Sequence, residues 1–189
     1  MVATRYSDRV FVGFLVLARR LCYSKSSGVM YLAPHPKRSP QEMTSIEIRE
    51  ANNTDADSIS TLMGELGYEL STAEAKNRIE VYLKLSDVVL VADDCGEIVG
   101  FVSFHSIPLF HAIGKLGRIT AMCISSNRQR EGIGHALLAR LDEVALELGC
   151  LRIEVSSGDQ RAQDAHLFYQ ACGYAIDSRR FQRILNRKA

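Results

Sequence analysis

The sequence predicts an α/β (α+β) domain whose elements follow the order β-α-α-β-β-β-α-β-α-β. Three observations carry this. Short apolar or alternating runs at 46–49, 88–92, 98–104, 116–125 and 151–156 read as strands. Ile133, Leu137, Leu141, Val144 and Leu148 recur at helical spacing and mark one long amphipathic helix. Between the fourth strand and that helix lies Gln129-Arg130-Glu131-Gly132-Ile133-Gly134-His135, with two glycines at the strand-to-helix join.

Taken in order, Ile46-Glu47-Ile48-Arg49 alternates as a first strand. Thr54 is placed to cap a helix over 55–66, which Gly67 closes from the C′ position. Ser71-Thr72-Ala73-Glu74 is a capping-box signature for a second helix to about position 85. The strands 88–92 and 98–104 flank Asp93-Asp94-Cys95-Gly96 and so form a hairpin. The strand 116–125 leads through the glycine join into the long helix, which Gly149 ends. After the strand 151–156, a short helix over 164–172 opens at Asp164, its expected N-cap, and stops at Gly173. The segments 174–176 and 180–185 are expected to supply the last strands.

The 189 residues suffice for one core, and 47% apolar content without low-complexity runs indicates an ordered domain. Charge is unevenly spread. Residues 1–43 hold seven Lys/Arg against two acids, whereas 44–189 hold sixteen against twenty. The larger part is therefore mildly acidic, which favours a cationic or amine ligand and disfavours non-specific nucleic-acid binding. Five cysteines form no Cys-x-x-Cys pair. That argues against a metal site or a disulfide framework and for a reducing, cytoplasmic setting. The apolar run 10–18 is far short of the roughly 20 residues of a membrane helix. Pro34, Pro36 and Pro40 then break regular structure. The expected division is an N-terminal extension over 1–43 with little order, followed by one domain over 44–189. An organelle-targeting segment is the alternative reading of the extension.

The glycine join is laid out as an anion cradle. A glycine lacks the Cβ that would keep a phosphate off the backbone. The unpaired N–H groups and dipole of a helix's first turn favour negative charge. No Lys-Ser/Thr follows, so this is not a Walker A loop, and Leu137 stands where a dinucleotide fingerprint needs its third glycine. The pattern Gln129-x-x-Gly132-x-Gly134 resembles the pyrophosphate loop of the GNAT superfamily of N-acetyltransferases. Phe168-Tyr169 followed by Gly173-Tyr174 resembles that superfamily's second motif, in the right order and at a fitting distance. Shorter likenesses at Glu65-Leu66-Gly67-Tyr68, Val99-Gly100-Phe101 and Gly117-Arg118-Ile119 extend the resemblance over about 46–185.

The resemblance implies a mixed, mainly antiparallel sheet with helices on both faces. It implies acetyl-CoA as co-substrate and acetyl transfer to a primary amine of a small molecule or protein by direct attack in a ternary complex. By the same resemblance, Gln129, Arg130, Glu131, Gly132, Ile133, Gly134 and His135 form the pyrophosphate loop, and Met122, Cys123 and Ile124 offer strand backbone to the pantetheine arm. Tyr169 is the expected general acid: a phenol near pKa 10 is protonated at neutral pH and can donate to a thiolate whose parent pKa is roughly 8.5. Tyr68, His105 and Glu154 are expected on the acceptor side, with Glu65 and Glu69 nearby, and Arg161 near the coenzyme. Relatives carry an acid around positions 120–121, but Thr120 and Ala121 stand there, so the base is open, with Glu154 as one substitute. That departure motivates an alternative, a non-catalytic acyl-CoA sensor of the same fold. No metal, nucleic acid or membrane is expected, and a homodimer is one assembly open to it.

Overall fold

The structure is a computed structural model that describes residues 21–23, 30–32, 46–85, 87–158 and 162–185. The chain forms two compact units, Met1–Met43 and Thr44–Ala189. In the first, β1 (Leu21–Tyr23) pairs antiparallel with β2 (Met30–Leu32). All that follows concerns the second unit. It contains β3 (Glu47–Glu50), α1 (Ala56–Glu65), α2 (Thr72–Leu85), β4 (Val88–Asp94), β5 (Glu97–Pro108), β6 (Lys115–Ile124), α3 (Ile133–Glu147), β7 (Cys150–Val155) and α4 (Leu167–Ala171).

The five strands lie in the order β3-β4-β5-β6-β7; the first three pairings are antiparallel and β6-β7 is parallel. The mixed, mainly antiparallel sheet is as expected, and it has a core on each face. Leu90, Val102, Phe104 and Ile119 pack with Leu137, Leu141 and Val144 of α3, and Tyr169 lies against that core. Val91, Phe101 and Cys123 pack with Ile59, Leu62 and Ile79 of α1 and α2.

Local chemistry sets the element ends. Asn52, rather than Thr54, caps the first helical segment: its side chain accepts from Thr54 N–H while Asp55 accepts from Asn52 N–H. The cap sits two residues early because a 3₁₀ turn, Asn53–Asp55, precedes α1. Gly67, at φ +86°, ends α1 as expected, with Tyr68 N–H returning to Met63 O at 3.0 Å. The Ser71–Glu74 capping box also forms, with Ser71 N–H donating to Glu74 at 2.9 Å and Glu74 N–H to Ser71 Oγ at 3.3 Å. In the β4–β5 turn Cys95 and Gly96 both have positive φ, as a two-residue primed turn requires.

Two further expectations fail. Residues 174–185 form no strand, and Ile176, Phe181, Ile184 and Leu185 are exposed. Their apolar pattern describes what a strand would bury, but no ladder partner stands beside them within the sheet. Asp164 does not cap a helix. It lies inside a π turn, Ala162–His166, that runs directly into α4. Among the described residues, no helix is long and apolar enough to cross a membrane.

Candidate active site

The sheet opens at one point. β7 pairs with β6 only along 115–119 of β6, ending at Ile119↔Val155. Beyond it, residues 121–124 of β6 keep β5 on one side and have no β7 partner on the other. Thr120 marks the division. Ser103 pairs with Ala121 and Phe104 with Ile119, so Thr120 is the extra residue of a β-bulge. The edge at Met122, Cys123 and Ile124 that β7 leaves uncovered is a strand edge able to pair with an extended ligand. Their side chains point away from that edge. Cys123 is buried toward α1 and α2, while Met122 packs toward α3.

The chain leaves this edge into residues 125–132 and then α3. Gly132 is the N-cap residue of α3, at φ +84° and without a side-chain cap. Ala136 N–H donates to Gly132 O at 3.1 Å. The N–H groups of Ile133, Gly134 and His135, one turn earlier, have no intrahelical acceptor. A Cβ at Gly132 would meet nothing within 4 Å, so the cradle is open above it; the positive φ is what asks for glycine there. Gly134 is needed for another reason. A Cβ there would sit 2.9 Å from the Phe168 ring. Glycine therefore lets α3 close on α4 and sets where Phe168-Tyr169 stands. Arg130 is exposed with φ +67°, the second left-handed residue of the loop.

Long-range bonds shape the loop. Arg128 donates to Asp94 at 2.7 Å and to Glu131 at 2.8 Å, tying the loop to the β4–β5 hairpin. These carboxylates hold the guanidinium above its ordinary pKa. Glu65, expected on the acceptor side, is used here: it accepts from Ser126 N–H at 2.8 Å and from Ser125 Oγ at 3.2 Å. Gln129 donates to Ile124 O at 3.4 Å, joining the loop to the end of β6. Arg128 and Glu65 were not readable as loop supports, because their partners lie about 30 and 60 residues away in sequence.

Tyr169 stands on the α3 side of the opening, its hydroxyl 3.9 Å from Met122 Sδ. Phe168 and Tyr174 meet its ring edge-on, with centroids 5.2 and 5.5 Å away, and Phe168 also meets His135 at 5.3 Å. One aromatic cluster thus connects the first turn of α3 to Tyr169. Burial, with Asp142 nearby, pushes the Tyr174 phenol well above its ordinary pKa.

On the other face, toward α2, lies a polar group. Thr120 Oγ1 is 2.9 Å from Tyr82 Oη and 2.8 Å from Ser103 Oγ. The Tyr82 ring lies 4.4 Å from the His105 imidazole. His105 Nδ1 bonds Asp87 Oδ2, and Asp87 Oδ1 accepts from Ser106 N–H at 3.0 Å. Farther along this face Glu154 accepts from Arg118 at 3.0 Å and from Arg152 at 2.9 Å, and Arg118 also donates to Ser156 at 2.7 Å. Of the residues expected on the acceptor side, His105 and Glu154 share this face, whereas Tyr68 is 62% exposed just past α1. Arg161 lies outside the described residues.

A strand edge that β7 leaves, a helix N-terminus without a side-chain cap and a nearby tyrosine fit a ligand with an extended amide arm ending in a diphosphate. The acetyltransferase (GNAT) domain model matches residues 86–176. An aminoalkylphosphonate N-acetyltransferase of Salmonella typhimurium is 30% identical over 151 residues, covering 79% of this chain and 97% of that protein. A glucosamine 6-phosphate N-acetyltransferase of Trypanosoma brucei brucei is 25% identical over 150 residues, covering 75% of this chain and 97% of its own. The crystal structure of a Trypanosoma brucei acetyltransferase matches with a TM-score of 0.63 at 25% identity, over 74% of this chain and 99% of that one.

Proposed function

This chain belongs to the GNAT acetyltransferase family and is an N-acetyltransferase, and on that premise we propose that it moves the acetyl group of acetyl-CoA to the primary amine of a small molecule carrying a phosphonate or phosphate. The family uses acyl-CoA in general; the acetyl donor and the acceptor class are the proposal. A non-catalytic acyl-CoA sensor is not favoured, because both curated relatives are named as N-acetyltransferases.

The observation that carries the reading is the opening of β6 from β7 at Thr120, directly before the bare first turn of α3. In the proposed mode, the N–H groups at Gly132, Ile133, Gly134 and His135 hold the pyrophosphate, with Gln129, Arg130 and Glu131 shaping the loop. The backbone of Met122, Cys123 and Ile124 hydrogen-bonds the pantetheine arm as an added strand would. That places the thioester near the bulge at Thr120, within reach of Tyr169. Holding both reactants there supplies the proximity that a two-substrate reaction needs. Tyr169 then donates its phenolic proton to the departing thiolate.

Two things support a phosphonate or phosphate on the acceptor. The acceptors named for the two relatives each combine an amine with such a group. On the α2 face of this chain, Arg118 and Arg152 share one carboxylate, Glu154, which leaves a net positive charge at 29% and 49% exposed side chains. Arginine matches a phosphate or phosphonate through bidentate, charge-assisted bonds. Thiol release from acetyl-CoA, measured for an aminoalkylphosphonate and for the same amine without its phosphonate, tests this. The expected result is a kcat/KM higher by roughly 10- to 100-fold for the phosphonate, the value of one or two charge-assisted bonds. Equal values would refute the acceptor class and leave the acetyltransferase assignment standing.

A further inference from the structure

We propose that His105 is the catalytic base, removing a proton from the acceptor ammonium, and that Asp87 is its positioning residue. The inference rests on the acetyl-transfer reading above but not on the phosphonate.

An alkylamine with a reference pKa near 10.4 is about 99.9% protonated at pH 7 and cannot attack a thioester until it loses a proton. The strand positions beside the opening hold Thr120 and Ala121, neither of which is a base. Two of the carboxylates expected nearby, Glu65 and Glu154, are engaged. Glu65 has both oxygens bonded to Ser125 and Ser126, and Glu154 has both bonded to Arg118 and Arg152. Each Glu154 oxygen therefore already accepts a guanidinium hydrogen bond.

The arrangement at His105 is different. Asp87, 7% exposed and fixed by Ser106 N–H, can only accept, so Nδ1 carries the hydrogen and donates it. That leaves Nε2 as the nitrogen with the lone pair. Among the described residues Nε2 has no hydrogen-bond partner, and the side chain is 30% exposed, so both a substrate and water can reach it. Tyr82 positions the ring toward the chemistry. One side chain packs its ring on the imidazole and bonds its hydroxyl to Thr120, the residue at which β6 leaves β7. The charged and titratable groups facing the imidazole are Asp87 ahead of β4, Tyr82 of α2 and Arg118, its cross-strand neighbour on β6.

The protons then balance. Nε2 takes one proton from R–NH3⁺, and Asp87 stabilises the resulting imidazolium. The nitrogen lone pair forms the C–N bond at the thioester carbonyl. The C–S bond breaks with its electron pair on sulfur, which takes the Tyr169 proton. The surplus proton still on nitrogen restores the Tyr169 phenol, and His105 releases its own to water. Amide, free thiol and one proton result.

His105→Gln keeps an N–H donor for Asp87 and removes the base. In the full-length chain, this variant is expected to lose about 100-fold in kcat with an alkylamine acceptor. It should lose little with the aminooxy analogue of that acceptor, whose amine is already neutral at pH 7, and should keep its melting temperature and coenzyme A affinity. Equal losses with both acceptors, or no loss with the alkylamine, would overturn the proposal. Nitrogen-15 shifts of the His105 ring at neutral pH give a readout that needs no turnover. Hydrogen on Nδ1 alone supports the base, and hydrogen on Nε2 overturns it. If the wild-type chain acetylates neither acceptor, the acceptor reading fails and the ring shifts still decide the role of His105.

Discussion

Tyr169→Phe is expected to lower kcat by about 100-fold, the usual scale for removing a general acid, with coenzyme A affinity unchanged. The hydroxyl is the only atom removed. The ring contacts with Phe168 and Tyr174 belong to the carbons and persist, so α4 keeps its place against the sheet. The hydroxyl lies 3.9 Å from Met122 Sδ, on the strand edge assigned to the pantetheine arm. The effect should shrink for thioesters with a more acidic leaving thiol, which need less protonation to depart. Thiol release by the variant, measured with acetyl-CoA and with such an analogue, checks both points. An unchanged rate would remove Tyr169 from the mechanism and leave it as a core aromatic residue.

Arg128→Ala is expected to cost about 2 kcal/mol of stability, the low end for breaking one side of a buried ion pair, and to raise the KM for acetyl-CoA by at least tenfold. Arg128 and Asp94 have side chains only 12% and 8% exposed, which places their bond away from bulk screening. The second partner, Glu131, is 42% exposed and adds less. Losing the guanidinium strips Asp94 of a cation inside the hairpin and releases the loop that precedes Gly132. The amides of the first turn then lose the fixed geometry on which an anion site depends. Thermal denaturation and KM read the two effects separately. A variant that melts and binds coenzyme A like the wild type would show that the loop holds its shape without the clamp.

What the sequence disclosed and what it hid follow from how far each signal reaches along the chain. Local patterns were readable. The capping box at Ser71–Glu74, the closure of α1 at Gly67 and the turn at Cys95-Gly96 each depend on neighbours a few positions away. The helix repeat of Leu137, Leu141 and Val144 identified the buried face of α3. Pairings between distant segments were not readable. Nothing near Arg128 announces Asp94, and nothing near His105 announces Asp87 as its partner rather than a solvated acid. The bulge at Thr120 was hidden because one extra residue does not disturb the apolar pattern of β6. Gly134 was legible as a glycine with a purpose, but its neighbour is the Phe168 ring. The apolar residues of 174–185 promised strands that the sheet does not pair.

The central claim is that a diphosphate docks on the backbone amides opening α3. Amide shifts of the nitrogen-15-labelled chain, followed during titration with coenzyme A, address it without any substitution. The account predicts that Gly132, Ile133, Gly134 and His135 show the largest changes, and that the titrant lacking its diphosphate, pantetheine alone, leaves them in place while still moving Met122, Cys123 and Ile124. Saturable coenzyme A binding that moves other amides and spares these four would contradict it.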